Sequence, residues 1–176
     1  MDDKLNSYRQ SHMQASVASQ YESQFAGRVD SLTWDEFVKP WLFDRLQQAR
    51  DDGAQRYLDF ACGTGRILKV GHNVFGHAEG IDISENMLSY AKKRVPQAHF
   101  HCLDVTSDNS GANEIGKFDC VTMFRFLRNA EPELRTAVLQ WLAEHMDEGA
   151  ILVVNNHGNT SSILGCVQRL AFWLPD

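Results

Sequence analysis

The 176-residue sequence contains no CxxC pair and no Cys/His spacing that would close a zinc site. No metal is expected. Its four cysteines, Cys62, Cys102, Cys120 and Cys166, are scattered, and they read as buried free thiols in a reducing compartment. No apolar run approaches membrane-spanning length, and the polar residues Met1 to Gln20 lack the apolar stretch of a secretory signal, which points to the cytoplasm. Positive charge is also scarce. With 17 Lys and Arg against 23 Asp and Glu, the net charge of -6 leaves no broad electrostatic footprint for nucleic acid or anionic lipid. A small-molecule or protein partner suits this balance better. There is no internal repeat and no low-complexity tract, and the length suits one domain with one well-buried core.

From about Arg56 onward, apolar runs alternate with segments of helical periodicity. The expected strands are Arg56 to Phe60, His77 to Ile83, His99 to Val105, Phe118 to Phe124 and Ala150 to Asn155. Alternation of this kind implies a parallel sheet with crossover helices. Ser84 is placed to cap a helix carrying Met87, Leu88, Ala91 and Val95 on one stripe, which Pro96 stops. Pro132 fits the first turn of a helix carrying Leu134, Ala137, Val138, Trp141 and Leu142. Upstream, Trp34, Phe37, Val38, Trp41, Leu42 and Leu46 form an amphipathic stripe that should cover the sheet, with a kink or a break at Pro40. After the fifth strand, Thr160 to Ser162 can cap a last helix carrying Ile163, Leu164, Val167, Leu170 and Ala171.

The stretch Tyr57-Leu58-Asp59-Phe60-Ala61-Cys62-Gly63-Thr64-Gly65-Arg66 runs from a strand through a glycine turn into a helix start. Gly63 and Gly65 let the backbone approach a ligand closely, and the helix start offers unpaired N–H groups, a cradle for a nucleotide-like molecule. A nicotinamide fingerprint, GxGxxG, is not met, because its sixth position counted from Gly63 is Leu68. Asp82, 19 residues after Gly63, ends the next strand where a carboxylate can accept both hydroxyls of a ribose. Asp104 ends the third strand on the same edge, placed to accept from an exocyclic amine or to cap a turn.

These three features resemble the class I S-adenosylmethionine-dependent methyltransferases over roughly Tyr57 to Asn155. Asp59 to Gly65 looks like that family's first motif with Ala61 in place of the first glycine, Asp82 like its ribose carboxylate, and Asp104 like its adenine contact. The resemblance implies a Rossmann-like, doubly wound α/β fold with a mostly parallel sheet, S-adenosylmethionine as cofactor and S-adenosylhomocysteine as product. It implies a cofactor-binding set of Asp59, Ala61, Gly63, Gly65, Asp82, Ile83, Met87, Asp104 and Val105. Gly63 to Gly65 would lie against the methionine part, and Ile83 and Met87 would pack on the adenine. Met87 suits core packing equally well, and Asp59 suits capping of the loop's own amides.

A sulfonium methyl is already electrophilic, so the protein has mainly to align an acceptor for in-line displacement and exclude water. The fourth strand ends in Phe124-Arg125-Phe126-Leu127-Arg128-Asn129, without the Asn-Pro-Pro-Tyr or Asp-Pro-Pro-Tyr signature of enzymes that methylate nucleic-acid bases. A small-molecule acceptor is therefore expected. Arg125 suits an anionic acceptor or a cofactor group, or else a surface or capping role paired with Glu131 or Asp104. Asn129 reads as the cap of the Pro132 helix. His157, just past the fifth strand, is a candidate general base or a solvated loop histidine. His99 and His101 read as structural.

Residues 1–50 are expected to form a helical cap or lid, with Tyr21, Arg28 and Trp34 in the segment that folds over the cofactor in methyltransferases of this kind, and residues 51–176 the core. Trp34, Phe37 and Trp41 read as core rather than as acceptor pocket. The resemblance also calls for a helix and an antiparallel strand pair beyond the fifth strand, for which the sequence has no counterpart. A fold cut short there would leave an apolar face around Leu164, Val167 and Leu170, and a homodimer is the expected way to cover it. A cofactor-binding pseudoenzyme or regulatory subunit without a complete acceptor site is the alternative to an enzyme.

Overall fold

The computed structural model describes residues 32–107 and 111–155. Five strands form one sheet: β1 (Tyr57–Phe60), β2 (Glu79–Asp82), β3 (His99–Cys102), β4 (Phe118–Phe124) and β5 (Met146–Asn155). Their order is β3-β2-β1-β4-β5 and every pairing is parallel. The chain winds outward from β1 to β3, then returns to the other side of β1 to lay down β4 and β5. This is the doubly wound arrangement expected, with its switch point between β1 and β4.

Strand periodicity sorts the core onto two faces. Tyr57 and Cys120 face one way, into a cluster with Leu42, Leu46, Ala49, Leu68, Val70 and Phe75. Leu58, Phe60, Val121 and Met123 face the other way, toward Phe126, Val138, Trp141 and Leu142. Helices α1 (Lys39–Asp51) and α2 (Arg66–Phe75) therefore cover the first face, and α4 (Phe126–Asn129) and α5 (Pro132–Glu144) cover the second. Helix α3 (Glu85–Arg94) crosses from β2 to β3; Ser84 caps it through a bond from Met87 N–H as expected, and it ends one residue short of Val95, which the spacing places on its stripe, with Pro96 just beyond. At Gly71 a methyl group would sit 2.0 Å from the Tyr57 ring, so α2 lies directly on β1 only because that position is glycine.

The helical stripe upstream of β1 is interrupted near Pro40. Trp34–Val38 form a π-helical turn in which Lys39 N–H bonds back to Trp34 O, and Pro40, in the first turn of α1, has no N–H to continue the ladder. The buried face of α1 is narrower than the stripe. Leu42, Leu46 and Ala49 are buried, but Phe37 and Trp41 are 72% and 48% exposed, contrary to the expectation that they are core. Trp34 is half-buried beneath the Arg66 guanidinium, 4.3 Å from its ring centroid.

Three further expectations need correction. Strand β5 starts at Met146 rather than Ala150, because Met146 pairs with Phe118 ahead of a register shift, and Gly149 (φ 81°) takes up the irregularity inside the strand. Cys102 is exposed, since it ends β3 at the edge of the sheet, whereas Cys62 and Cys120 are buried free thiols as expected. Asn129 does not cap α5: Glu131 takes that position, and the Asn129 side chain donates instead to Arg125 O (2.7 Å). Cys166 and the helix expected after Thr160 lie outside the described residues, as do Tyr21 and Arg28.

Candidate cofactor site at the carboxyl edge of the sheet

The carboxyl ends of β1, β2 and β4 and the loop after β3 enclose a cavity of about 120 Å³. Sheets of this topology open such a crevice at the switch point, because the helices leaving β1 and β4 depart to opposite faces. One side is lined by Ala61, Gly63, Asp82, Ile83, Met87, Asp104 and Val105, and the other by Phe124, Arg125, Phe126, Asn129, Leu134 and Val138. Phe60, Ile81 and Leu103 also line it. No residue between 32 and 51 lines it.

The glycine turn is held from several directions. Gly63 (φ 53°) and Gly65 (φ 79°) occupy the left-handed region, and a methyl group added at Gly63 would meet open space. The cradle is thus open where the sequence anticipated a ligand. Gly63 N–H donates to Asp82 Oδ2 (2.8 Å), and Ser84 N–H donates to Asp82 Oδ1 (2.9 Å). Asp82 thus fixes both the loop and the start of α3, and it lines the cavity. Asp104 is organised in the same manner, accepting at Oδ1 from Thr106 N–H (3.0 Å) and Thr106 Oγ1 (2.7 Å). Met87 is 1% exposed and also lines the cavity, so it serves as core and as cavity wall at once.

Two expected contacts lie elsewhere. Gly65 is buried against Ala91 of α3, whose Cβ would be 3.0 Å from a methyl group placed there. Asp59 is buried beneath the loop. Thr122 Oγ1 donates to Asp59 Oδ1 (2.8 Å), and Thr122 Oγ1 shares a 2.6 Å hydrogen bond with Tyr57 OH. Burial pushes the Asp59 carboxyl from 3.8 up to about 7, against the Thr122 bond and the Leu68 amide, which favour the ionised form. Its Oδ2 has no hydrogen-bond partner of standard geometry. Burial likewise raises the Cys62 thiol well above its ordinary range, which keeps it inert inside the loop.

Arg125 stands at the end of β4 with φ 63°, and Ala61 stands at the end of β1 with φ 55°. They are the two non-glycine residues with positive φ among the described residues, both line the cavity, and their strands are neighbours. Strained backbone gathers where a structure must place particular groups. The His99 and His101 rings lie 4.7 Å apart, and His101 Nε2 bonds Glu79 Oε2 (2.8 Å). No group of three metal-ligating side chains occurs among the described residues. His157 lies outside them. The sequence reading missed the apolar wall formed by Phe124, Phe126, Leu134 and Val138, since helical spacing on α5 signals core without saying that the core is hollow there.

Comparison with known proteins agrees with this geometry. Residues 58–149 match the family model described as a methyltransferase domain. The chain is 35% identical over 109 residues to dTDP-3-amino-3,4,6-trideoxy-alpha-D-glucopyranose N,N-dimethyltransferase of Streptomyces venezuelae, covering 62% of this chain and 45% of that protein. It is 28% identical over 167 residues to demethylmenaquinone methyltransferase of Oceanobacillus iheyensis, covering 92% and 67%. Among solved structures, CalS10, an amino pentose methyltransferase from Micromonospora echinaspora with S-adenosylmethionine bound, superposes with a TM-score of 0.62 at 31% identity, covering 77% of this chain and 55% of that one. The chain spans less than half the length of the sugar-methyltransferase relative. No helix among the described residues is long and apolar enough to cross a membrane. With a family match across more than half its length, on the strands and the glycine turn that build the cavity, the chain belongs to the class I S-adenosylmethionine-dependent methyltransferases.

Proposed function

We propose that this chain transfers the methyl group of S-adenosylmethionine to a small-molecule acceptor by in-line displacement. The observation that carries the reading is the single cavity joining the open Gly63 cradle, Asp82 and Asp104 across three successive strand ends. When bound, the cofactor supplies an activated methyl group on a sulfonium, so the protein's task is to bind, align and exclude water. In this reading Asp82 accepts from the ribose hydroxyls, Asp104 accepts from the adenine amine, and Ile83, Met87 and Val105 provide apolar surface for the base. Ala61 and the Gly63–Gly65 turn flank the aminoacyl part. Arg125, at the β4 end of the same cavity, orients the acceptor or a cofactor group with its guanidinium. The apolar wall of Phe124, Phe126, Leu134 and Val138 keeps water from that end.

Two relatives named as methyltransferases of aminated dideoxy or trideoxy sugars make nucleotide-linked amino sugars the first acceptors to try. The test has two steps. Calorimetry with S-adenosylmethionine, S-adenosylhomocysteine and NAD is expected to give micromolar binding of the two sulfur nucleosides and none of NAD. Formation of S-adenosylhomocysteine in the presence of amino-sugar nucleotides then separates an enzyme from a cofactor-binding module. Binding of NAD alone would defeat the reading.

A further inference from the structure

We propose that Arg94, which lies in the last turn of α3 and does not line the cavity, is a positioning residue for cofactor binding, acting through the glycine turn. The proposal rests on the reading of the cavity as the S-adenosylmethionine site. Its basis is the way the unit β2–α3 grips each residue of that turn. Asp82 accepts from Gly63 N–H (2.8 Å), Ala91 abuts Gly65, and Arg94 Nη1 donates to Thr64 O (2.7 Å) and to Thr64 Oγ1 (3.0 Å), across 30 residues of sequence. Thr64 is 3% exposed, so its carbonyl gains little from solvent, and Arg94 is half-buried over it.

The physical consequence follows from the planarity of the peptide group. Holding Thr64 O fixes the plane of the Thr64–Gly65 peptide, and with it the direction of Gly65 N–H, which closes the turn by donating to Cys62 O (2.9 Å). A peptide that precedes glycine turns over at little cost, because glycine populates both signs of φ. Without Arg94 the turn gains a second orientation of that peptide, and a ligand that fits one orientation binds only the fraction of chains that hold it. Arg94 removes that freedom before the ligand arrives. Its location suits the role, since a cation in the last turn of a helix is favoured by the helix dipole.

The experiment uses the full chain. S-adenosylhomocysteine is titrated into wild type, Arg94→Met, Arg94→Lys and the control Lys93→Met, whose exposed side chain extends over Tyr90. Thermal midpoints without ligand and exchange of the Gly65 amide hydrogen are recorded alongside. Arg94→Met is expected to weaken binding by about tenfold, the scale of one charge-assisted hydrogen bond. Gly65 amide exchange is expected to rise while β1 and α2 amides keep their protection, Arg94→Lys to recover part of the affinity, and Lys93→Met to match wild type. Unchanged affinity in Arg94→Met, or a loss that merely tracks a fall in global stability, overturns the proposal. If Arg94→Met does not fold, Arg94→Gln replaces it with the same expected order. Failure of wild type to bind S-adenosylhomocysteine would sink the cofactor reading itself; the Gly65 exchange rate then decides alone whether Arg94 holds the turn.

Discussion

The two ends of the sheet both use carboxylates against backbone amides, yet they differ in what lies beyond those carboxylates. At the amino end, Asp119 Oδ2 accepts from Gln55 N–H and Arg56 N–H (both 2.8 Å), and Glu79 is held by Arg56 (3.1 Å) and His101 (2.8 Å). These bonds lower both carboxyls, Asp119 through the two amides and Glu79 first through His101. At the carboxyl end, Asp82 and Asp104 also take amides, but each borders the cavity. A carboxylate that satisfies the backbone can therefore be an end in itself or a platform for a ligand. Asp119 also borders a recess, of about 190 Å³, but that recess is lined by Asp52, Glu148 and mostly small residues, whereas the cavity beside Asp82 and Asp104 joins a glycine turn to apolar walls; the lining distinguishes the two.

The largest expected effect concerns Asp59, between the two ends. Its carboxyl titrates near 3.8 when unfolded and at about 7 when folded, so the folded chain holds the proton more tightly between those values. Its contribution to stability is present below about pH 4, falls as pH rises to about 7 and is flat above. Urea unfolding should show wild type losing a few kcal/mol relative to Asp59→Asn between pH 4 and pH 8; parallel curves would place Asp59 in a wetter environment. Asp119 and Glu79 have the opposite sign, with stability present above about pH 4 and lost in acid.

Next in size, Asp82→Ala should weaken S-adenosylhomocysteine binding by about 1–3 kcal/mol through loss of charged hydrogen bonds, measured by calorimetry. Asp119→Ala should instead cost about 1 kcal/mol of folding stability in denaturant and leave cofactor affinity unchanged. A drop in affinity there would mean that the two ends of the sheet are coupled. Smallest of all, Ala61→Gly should raise stability by roughly 0.5–1 kcal/mol, because a left-handed alanine is strained, although the more flexible unfolded chain offsets part of the gain. A lower thermal midpoint would show that the Ala61 methyl group contributes packing that outweighs its strain.

Much of this molecule is visible in one dimension. Strand β4 runs over Phe118–Phe124 as its apolar pattern indicates, and Ser84 and Pro132 mark helix starts because caps and proline geometry are local. Asp82 is legible from its spacing after Gly63 and ends β2 as expected, whereas Asp104, expected to end the third strand, lies two residues beyond β3, which stops at Cys102. What failed depended on phase or on distant partners. Phe37 and Trp41 obey helical spacing, but the buried face of α1 runs through Leu42, Leu46 and Ala49 and leaves both aromatics to its side. The apolar run that marks the fifth strand begins at Ala150, yet pairing with β4 draws Met146 to Gly149 into β5 as well. Asn129 has a cap's chemistry and spends it on Arg125 O. Nothing local in Arg94 announces Thr64, since the two meet only when α3 folds back over the glycine turn.

The row formed by Tyr57, Thr122 and Asp59 has a direction. A hydroxyl carries one proton, and that of Thr122 goes to Asp59 Oδ1, so Tyr57 must be the donor in the 2.6 Å contact. Two hydroxyls thus point their hydrogens one way along the inside of the sheet, toward the carboxyl beneath the glycine turn. A proton taken up on Asp59 Oδ1 would allow the whole row to reverse, with Asp59 giving to Thr122 and Thr122 to Tyr57, without displacing a heavy atom. Burial, which pushes that carboxyl up, is what brings the protonated form within reach.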